Sequence, residues 1–159
     1  MKVKNIHCRT YPVNKSLIWD QIEKLSSKED GIWPYENWPR MIMRPNLSVG
    51  AIGGHGPIRY FIESIKIQES ITFRFTNPKG FDGIHFLKID QIGNQTKLSH
   101  QILMDTSIKA YFSWLFIVRP LHDALIEDAF TKLEATIGSQ ITVITWSLWV
   151  KILRYFLKS

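Results

Sequence analysis

Residues 83–105, GIHFLKIDQIGNQTKLSHQILMD, leave this chain few ways to fold. Apolar and polar side chains alternate on either side of Gly93-Asn94, a dipeptide suited to a two-residue β-turn. With Ile92 opposite Gln95, Asp90 falls opposite Lys97, Ile89 opposite Leu98, Leu87 opposite His100 and His85 opposite Ile102. One face of this hairpin is apolar except for His85 and His100, which lie diagonally, about 7–8 Å apart at the backbone. Such a face needs a helix or a second sheet over it.

The cover is supplied further on. Residues 112–137 have helical spacing, with Leu121, Leu125, Ile126, Ala129, Phe130, Leu133 and Ile137 in one apolar stripe and His122 at its margin. Glu127, Asp128, Lys132 and Glu134 are expected to face largely away. Pro120 marks either a kink or the true start of the helix, and Gly138 closes it.

Upstream, residues 2–10 read as a first strand through Val3, Ile6 and Cys8. Asn14 can cap a short helix carrying Leu17, Ile18, Ile22 and Leu25. Two Trp-Pro pairs in IWPYENWPRMIM predict a rigid aromatic loop leading to an edge strand, because a residue before proline is pushed toward extended geometry. GGHG (53–56) is no phosphate loop, since a strand follows it and the GxxxxGK[ST] pattern is absent. It reads as a bend or mobile gate with His55 turned inward. Residues 58–67 and 71–77 predict a hairpin in which Ile67 opposes Ile71, putting Arg59 and Glu63 on the apolar face. A one-residue slip would reverse that assignment. The order β-α, several antiparallel strands, long helix is an α+β architecture.

Blocks of the sequence, in order, are IWPYENWPRM, GGHGPIRYFIE, FRFTNPKGFDGIHFLKI, LSHQILM, RPLHDALIEDAF and WSLWVKILR. Together they resemble an SRPBCC-type protein (START-like, polyketide cyclase/dehydrase-like), in particular a bacterial branch of that superfamily. The resemblance runs from about residue 3 to about residue 154. It implies a helix-grip fold: a bent antiparallel sheet wrapped around a long C-terminal helix, with an internal cavity between them. It also implies a small hydrophobic or aromatic ligand (lipid-, polyketide- or sterol-like), with a minority of members catalysing cyclisation, dehydration or hydrolysis. No catalytic motif transfers residue by residue.

Within such a grip the candidate ligand contacts are His85, His100, His55 and His122, the pair Arg59 and Glu63, and the indoles Trp33, Trp38 and Trp114. The two hairpin histidines could hydrogen-bond a ligand, serve as acid and base, or simply be satisfied in the core. There is no HExxH, no cysteine pair and no paired His-carboxylate spacing, so neither a metal nor another cofactor is expected. No nucleophile elbow is present, and Cys8 and His7, adjacent on a strand, point to opposite faces.

The net charge of +6 permits anionic partners, but the basic residues are scattered and no stacking motif accompanies them, which argues against nucleic acid. A single cysteine excludes an intramolecular disulfide, and the N-terminus lacks a signal-peptide h-region, so a cytoplasmic protein is expected. Residues 1–138 are expected to form the ligand-binding domain, and residues 139–159 an apolar and basic helix docked on it or on a partner. On a helical wheel Ser147, Lys151, Arg154 and Lys158 share a stripe about 60° wide, and the rest is apolar. That segment is too short and too interrupted for a good span. Because an interfacial helix usually has a broader charged face, docking on its own domain or a homodimer contact is expected ahead of peripheral membrane contact through residues 140–159.

Overall fold

The computed structural model describes residues 1–157. Lys158, one member of the expected charged stripe, lies outside the described residues. Seven strands form one antiparallel sheet: β1 (Lys2–Tyr11), β2 (Ile42–Arg44), β3 (Ile52–His55), β4 (Ile58–Lys66), β5 (Ser70–Asn77), β6 (Phe81–Ile92) and β7 (Gln95–Thr106). Their order across the sheet is β1-β7-β6-β5-β4-β3-β2. Helix α1 (Lys15–Ile22) follows β1. A continuous helical run follows β7: α2 (Ile108–Ser113), a π-helical turn (Trp114–Val118) and α3 (Arg119–Thr136). Helix α4 (Leu148–Leu157) ends the described chain. A bent antiparallel sheet holding one long helix is the helix-grip α+β fold.

The β6–β7 register matches the pairing expected from the turn: Ile92↔Gln95, Asp90↔Lys97, Ile89↔Leu98, Leu87↔His100 and His85↔Ile102. Gly93 has φ +58, which the two-residue turn requires and glycine accepts without strain.

The β4–β5 hairpin departs from expectation. Its strands pair as Lys66↔Ser70 and Ile65↔Ile71, and the intervening loop holds Gln68 at φ 55. Register shifts between Arg59 and Tyr60 and between Ile62 and Ser64 change the facing of the strand partway along. A bulge inserts one unpaired residue, and side chains before and after it therefore obey opposite parities. Tyr60 and Ile62 are buried as a result, while Arg59 and Glu63 are exposed. Glu63 accepts a hydrogen bond from Arg74 Nε at the surface, and Arg59 donates to the carbonyls of Gly56 and Ile58. The placement of Arg59 and Glu63 on the apolar face is thereby corrected.

Strand β1 is in register with β7 but turns its odd-numbered residues inward: Val3, Asn5, His7, Arg9 and Tyr11. Ile6 and Cys8, which suggested the strand, face out. Within GGHG, Gly53 and Gly54 are paired in β3 and Gly56 (φ +48) makes the turn to β4, so the segment is a bend between paired strands. A Cβ on Gly53 would stand 1.9 Å from Ile42 O, so only glycine lets β2 and β3 approach this closely.

Helix α3 lies over the inner face of the sheet and buries Leu125, Ile126, Ala129, Phe130 and Leu133. Glu134, expected to face away, is buried as well. The helix neither starts nor simply kinks at Pro120. It begins at Ile108, and the π-turn ends just before the proline. Pro120 has no N–H for the carbonyl of Phe116, four residues back. That carbonyl accepts a hydrogen bond from Trp149 Nε1 of α4 instead, at 2.8 Å. Helix α4 sets Val150 into the main core cluster, and Arg154 donates to Asn37 O while lying over the Trp38 ring.

Candidate functional site

Two apolar clusters occupy the space between sheet and helix. The larger contains Tyr11, Ile71, Phe73, Leu87, Ile89, Leu98, Phe130 and Leu133 among others. The smaller contains Val3, Phe81, Ile102, Met104, Ala110 and Trp114. Between them runs a polar layer, and the sheet register explains its position. Asn5, Ile102 and His85 form one row across β1, β7 and β6, while His7, His100 and Leu87 form the next. His122 descends onto these rows from α3.

The layer connects every histidine of the chain. The His7 and His122 rings are 5.8 Å apart, His122 and His100 4.9 Å, and His100 and His85 5.4 Å. His85 then meets Tyr60 at 4.7 Å, Tyr60 meets His55 at 6.1 Å, and His55 lies 4.8 Å from Trp33. Phe73 stacks on His85 at 4.8 Å, Phe75 lies at 4.9 Å, and Trp114 stands 6.0 Å from His122.

The two ends of the layer differ electrostatically. His7 Nε2 lies 2.9 Å from Asp123 Oδ1, and His7 Nδ1 lies 2.8 Å from Glu127 Oε1. Carboxylates only accept, so both ring nitrogens donate and His7 is an imidazolium. Burial pulls its pKa down, but its hydrogen bonds to Asp123 and Glu127, with their negative charge, outweigh burial and raise it. Asn5 Nδ2 donates to the same Asp123 oxygen at 2.9 Å. Burial opposes ionisation of Asp123, but its contacts with His122, His7 and Asn5 hold it well below the usual carboxylate range. Arg9 donates to Glu127 Oε2 at 2.7 Å and pairs with Glu134 Oε2 at 3.1 Å. Arg119 stands 3.5 Å from Asp123. Three cations thus face three carboxylates at this edge.

The interior end is neutral. Burial pushes the pKa of His85 and of His100 well below 6.5, and neighbouring histidines add to the effect. Burial also lowers His122, against the opposing pull of Asp123, and takes His55 down to about 3. His85 Nδ1 and His100 Nε2 are 3.3 Å apart, one donating and the other accepting. His85 Nε2, His100 Nδ1 and His122 Nε2 are buried without a hydrogen-bond partner, while His122 Nδ1 stands 3.6 Å from Asp123 Oδ1. A buried polar atom without a partner costs about 1–3 kcal/mol, so these atoms are uncommon features of the interior.

Of the residues singled out in the sequence, His85, His100, His122, His55, Trp33 and Trp114 come together along this layer. Trp38 does not: its Nε1 donates to Asp128 Oδ2, its ring faces Trp146 at 5.3 Å, and it fastens the C-terminal segment to the outside of α3. Arg59 and Glu63 are at the surface. The sequence reading missed Asn5, His7, Arg9, Asp123, Glu127 and Glu134. Two spacings could have found them. Asn5, His7 and Arg9 alternate on a strand, and Asp123, Glu127, Thr131 and Glu134 follow the 4-4-3 spacing of one helix face.

His7, His122 and Asp123 offer donor atoms within 4.8 Å of one another, which is close enough for a metal ion. Both His7 nitrogens are already engaged as hydrogen-bond donors to carboxylates, so the arrangement fits a salt-bridge network better than a ligand set. Concavities on the surface of the described residues include two of note. One, of about 570 Å³, is on the outward side of β1, β7 and β6 beside Arg74 and Asp105. The other, of about 250 Å³, lies between α3 and residues 144–150 and reaches Asp123 and Glu127 from outside. Neither is lined by a histidine.

No family model matches the chain, and no curated protein matches it. Solved structures do. The crystal structure of CalU16 from Micromonospora echinospora superposes with a TM-score of 0.61 at 12% identity, covering 98% of this chain and 85% of that one. A point mutant of Thalictrum flavum norcoclaurine synthase, in complex with a transition-state analogue, superposes at 0.67 and 11% identity, covering 87% and 98%. Major latex-like protein 151 from Panax ginseng superposes at 0.56 and 13% identity, covering 85% and 97%. These neighbours belong to the SRPBCC/Bet v1 superfamily, and the chain shares their fold.

Proposed function

We propose that the chain binds a small, uncharged, largely apolar or aromatic molecule at the histidine layer between sheet and helix. The observation that carries this reading is the set of buried, unpartnered ring nitrogens His85 Nε2, His100 Nδ1 and His122 Nε2, walled by Phe73, Phe75, Tyr60 and Trp114. A neutral imidazole offers one donor and one acceptor. It therefore suits a hydroxyl or carbonyl group on an apolar body, as in a phenolic polyketide or a sterol-like alcohol. A carboxylate is a poor fit, because the cations nearest the layer are already paired with Asp123, Glu127 and Glu134. The fold shared with norcoclaurine synthase, whose structure is a complex with a transition-state analogue, supports the binding of a small molecule. Side chains now occupy that space, so binding requires the layer to open.

Native mass spectrometry of protein purified from its host tests this directly. A one-to-one adduct of small mass, lost on organic extraction, is expected. Its affinity should fall in His100→Leu with the fold retained by circular dichroism. A folded protein that carries no adduct and takes up no phenolic or sterol-like compound would refute the reading.

A second reading, a cyclase- or dehydratase-type enzyme, is favoured by one observation. The His85–His100 pair is neutral, so an unprotonated ring nitrogen can take a proton from a bound molecule, and the pair then holds it as an imidazolium hydrogen-bonded to a neutral imidazole. It is tested by α-proton exchange of a bound 1,3-dicarbonyl in deuterium oxide. His100→Gln should slow that exchange while binding persists, and unchanged exchange removes the enzyme reading.

A further inference from the structure

Helix α2, the π-turn that follows it and helix α4 present an apolar surface that the domain does not cover. Phe112 and Phe116 stack with ring centroids 6.4 Å apart and are both exposed. The hydrogen bond from Trp149 to Phe116 O brings the first turn of α4 beside them. Leu148, Ile152 and Tyr155 extend the surface along α4, whose only buried side chain is Val150. Tyr155 is 79% exposed and Leu148 75%, values unusual for large apolar groups in one cluster.

The segments that form this surface carry charge of a single sign. Residues 106–122 and 135–157 contain no Asp or Glu. Within them Arg154 is turned onto Asn37 O and Arg119 leans toward Asp123. Lys109 and Lys151 remain exposed, and neither makes an ion pair among the described residues. A second copy of the chain docked symmetrically here would bring the same lysines of these segments together, and the segments themselves supply no acid to face them. A surface that is itself negative meets no such conflict. Exposed aromatics with interspersed lysines on short helices match the chemistry of the headgroup region. Among the described residues no helix is long and apolar enough to cross a membrane.

We infer that this face docks peripherally on an anionic lipid bilayer. Aromatic side chains of α2 and α4 enter the headgroup boundary, and Lys109 and Lys151 lie over lipid phosphates. The net charge of +6 adds long-range attraction.

The test uses the full chain with two vesicle populations: phosphatidylcholine alone, and phosphatidylcholine mixed with phosphatidylglycerol. Cosedimentation should be strong with the mixed vesicles and weak with the neutral ones, and salt should reduce it. Lys109→Glu and Lys151→Glu should each weaken binding at least about fivefold. Leu148→Ser with Tyr155→Ser should weaken it further, with an unchanged thermal midpoint showing that the fold survives. Absence of binding, or equal binding to both populations, overturns the inference. So does a dimer in sedimentation velocity that the same serine pair dissociates, because it assigns the face to a second copy.

Discussion

Arg9 places its guanidinium between two helix carboxylates, Glu127 and Glu134, with its side chain 11% exposed and that of Glu134 only 5% exposed. Glu134 also accepts from the backbone N–H of Thr142 at 2.6 Å, so one buried acid ties β1 and the C-terminal segment to α3. Removing one partner of a buried pair leaves the other charged and desolvated. Arg9→Met is therefore expected to cost about 3–5 kcal/mol in urea unfolding. Adding Glu134→Gln should return part of that loss, because a neutral amide no longer requires a cation. If Arg9→Met unfolds at the wild-type midpoint, the network has no structural role. His100 presents a milder case. Its Nδ1 has no partner, and its Nε2 bonds His85 Nδ1, which His100→Leu leaves unpaired, so the substitution should cost about 1–3 kcal/mol while weakening any hydroxyl-bearing ligand.

At the level of elements, the bond from Trp149 to the carbonyl that Pro120 cannot serve ties α4 to the π-turn. Trp149→Phe should cost about 1 kcal/mol. The cost should shrink in a Pro120→Ala background, where residue 120 regains an N–H for Phe116 O. A double-mutant cycle reads this coupling, and full additivity would show that the two features are unrelated. The legibility of each element in the sequence has physical causes. The β6–β7 hairpin could be paired residue by residue because its two-residue turn fixes the register and no bulge interrupts it. Strand β4 could not, because its register shifts reverse the facing of Arg59 and Glu63 partway along, which alternation alone cannot register. Strand β1 misled for a different reason. Its inner face is Asn5, His7 and Arg9, and the residues that look like core, Ile6 and Cys8, face out. The candidate site was accordingly half visible: His85, His100 and His122 lie on apolar faces, whereas their partners on β1 and α3 resemble ordinary surface charge until strand and helix are brought together.

Across the whole molecule, the histidines tie stability to pH with opposite signs. His55, His85, His100 and His122 have folded-state pKa values below 6.5. The unfolded chain therefore takes up protons below pH 6.5 that the folded chain does not, and stability is lost as pH falls from that value. Each histidine that stays neutral contributes a slope of about 1.4 kcal/mol per pH unit. His7 is raised, so its contribution is full below 6.5 and is lost as pH rises through its folded value. Stability should thus peak near pH 6.5 and fall steeply on the acid side. Urea midpoints measured across pH 4–8 would show this, and His85→Leu should flatten the acid limb by about one histidine's share. A flat acid limb in the parent protein would mean that the layer is hydrated and titrates freely.

The polar layer also makes the molecule easy to interrogate. All five histidines lie along one path, from the carboxylates at the edge of β1 to the indole of Trp33. Isotope labelling of histidine alone would therefore yield five imidazole signals, each at a different depth and none from an uninvolved surface site. A compound entering from the His55 end would perturb them in one sequence, and one entering from the His7 end in the reverse sequence. The spectrum would report the route of entry as well as the event of binding.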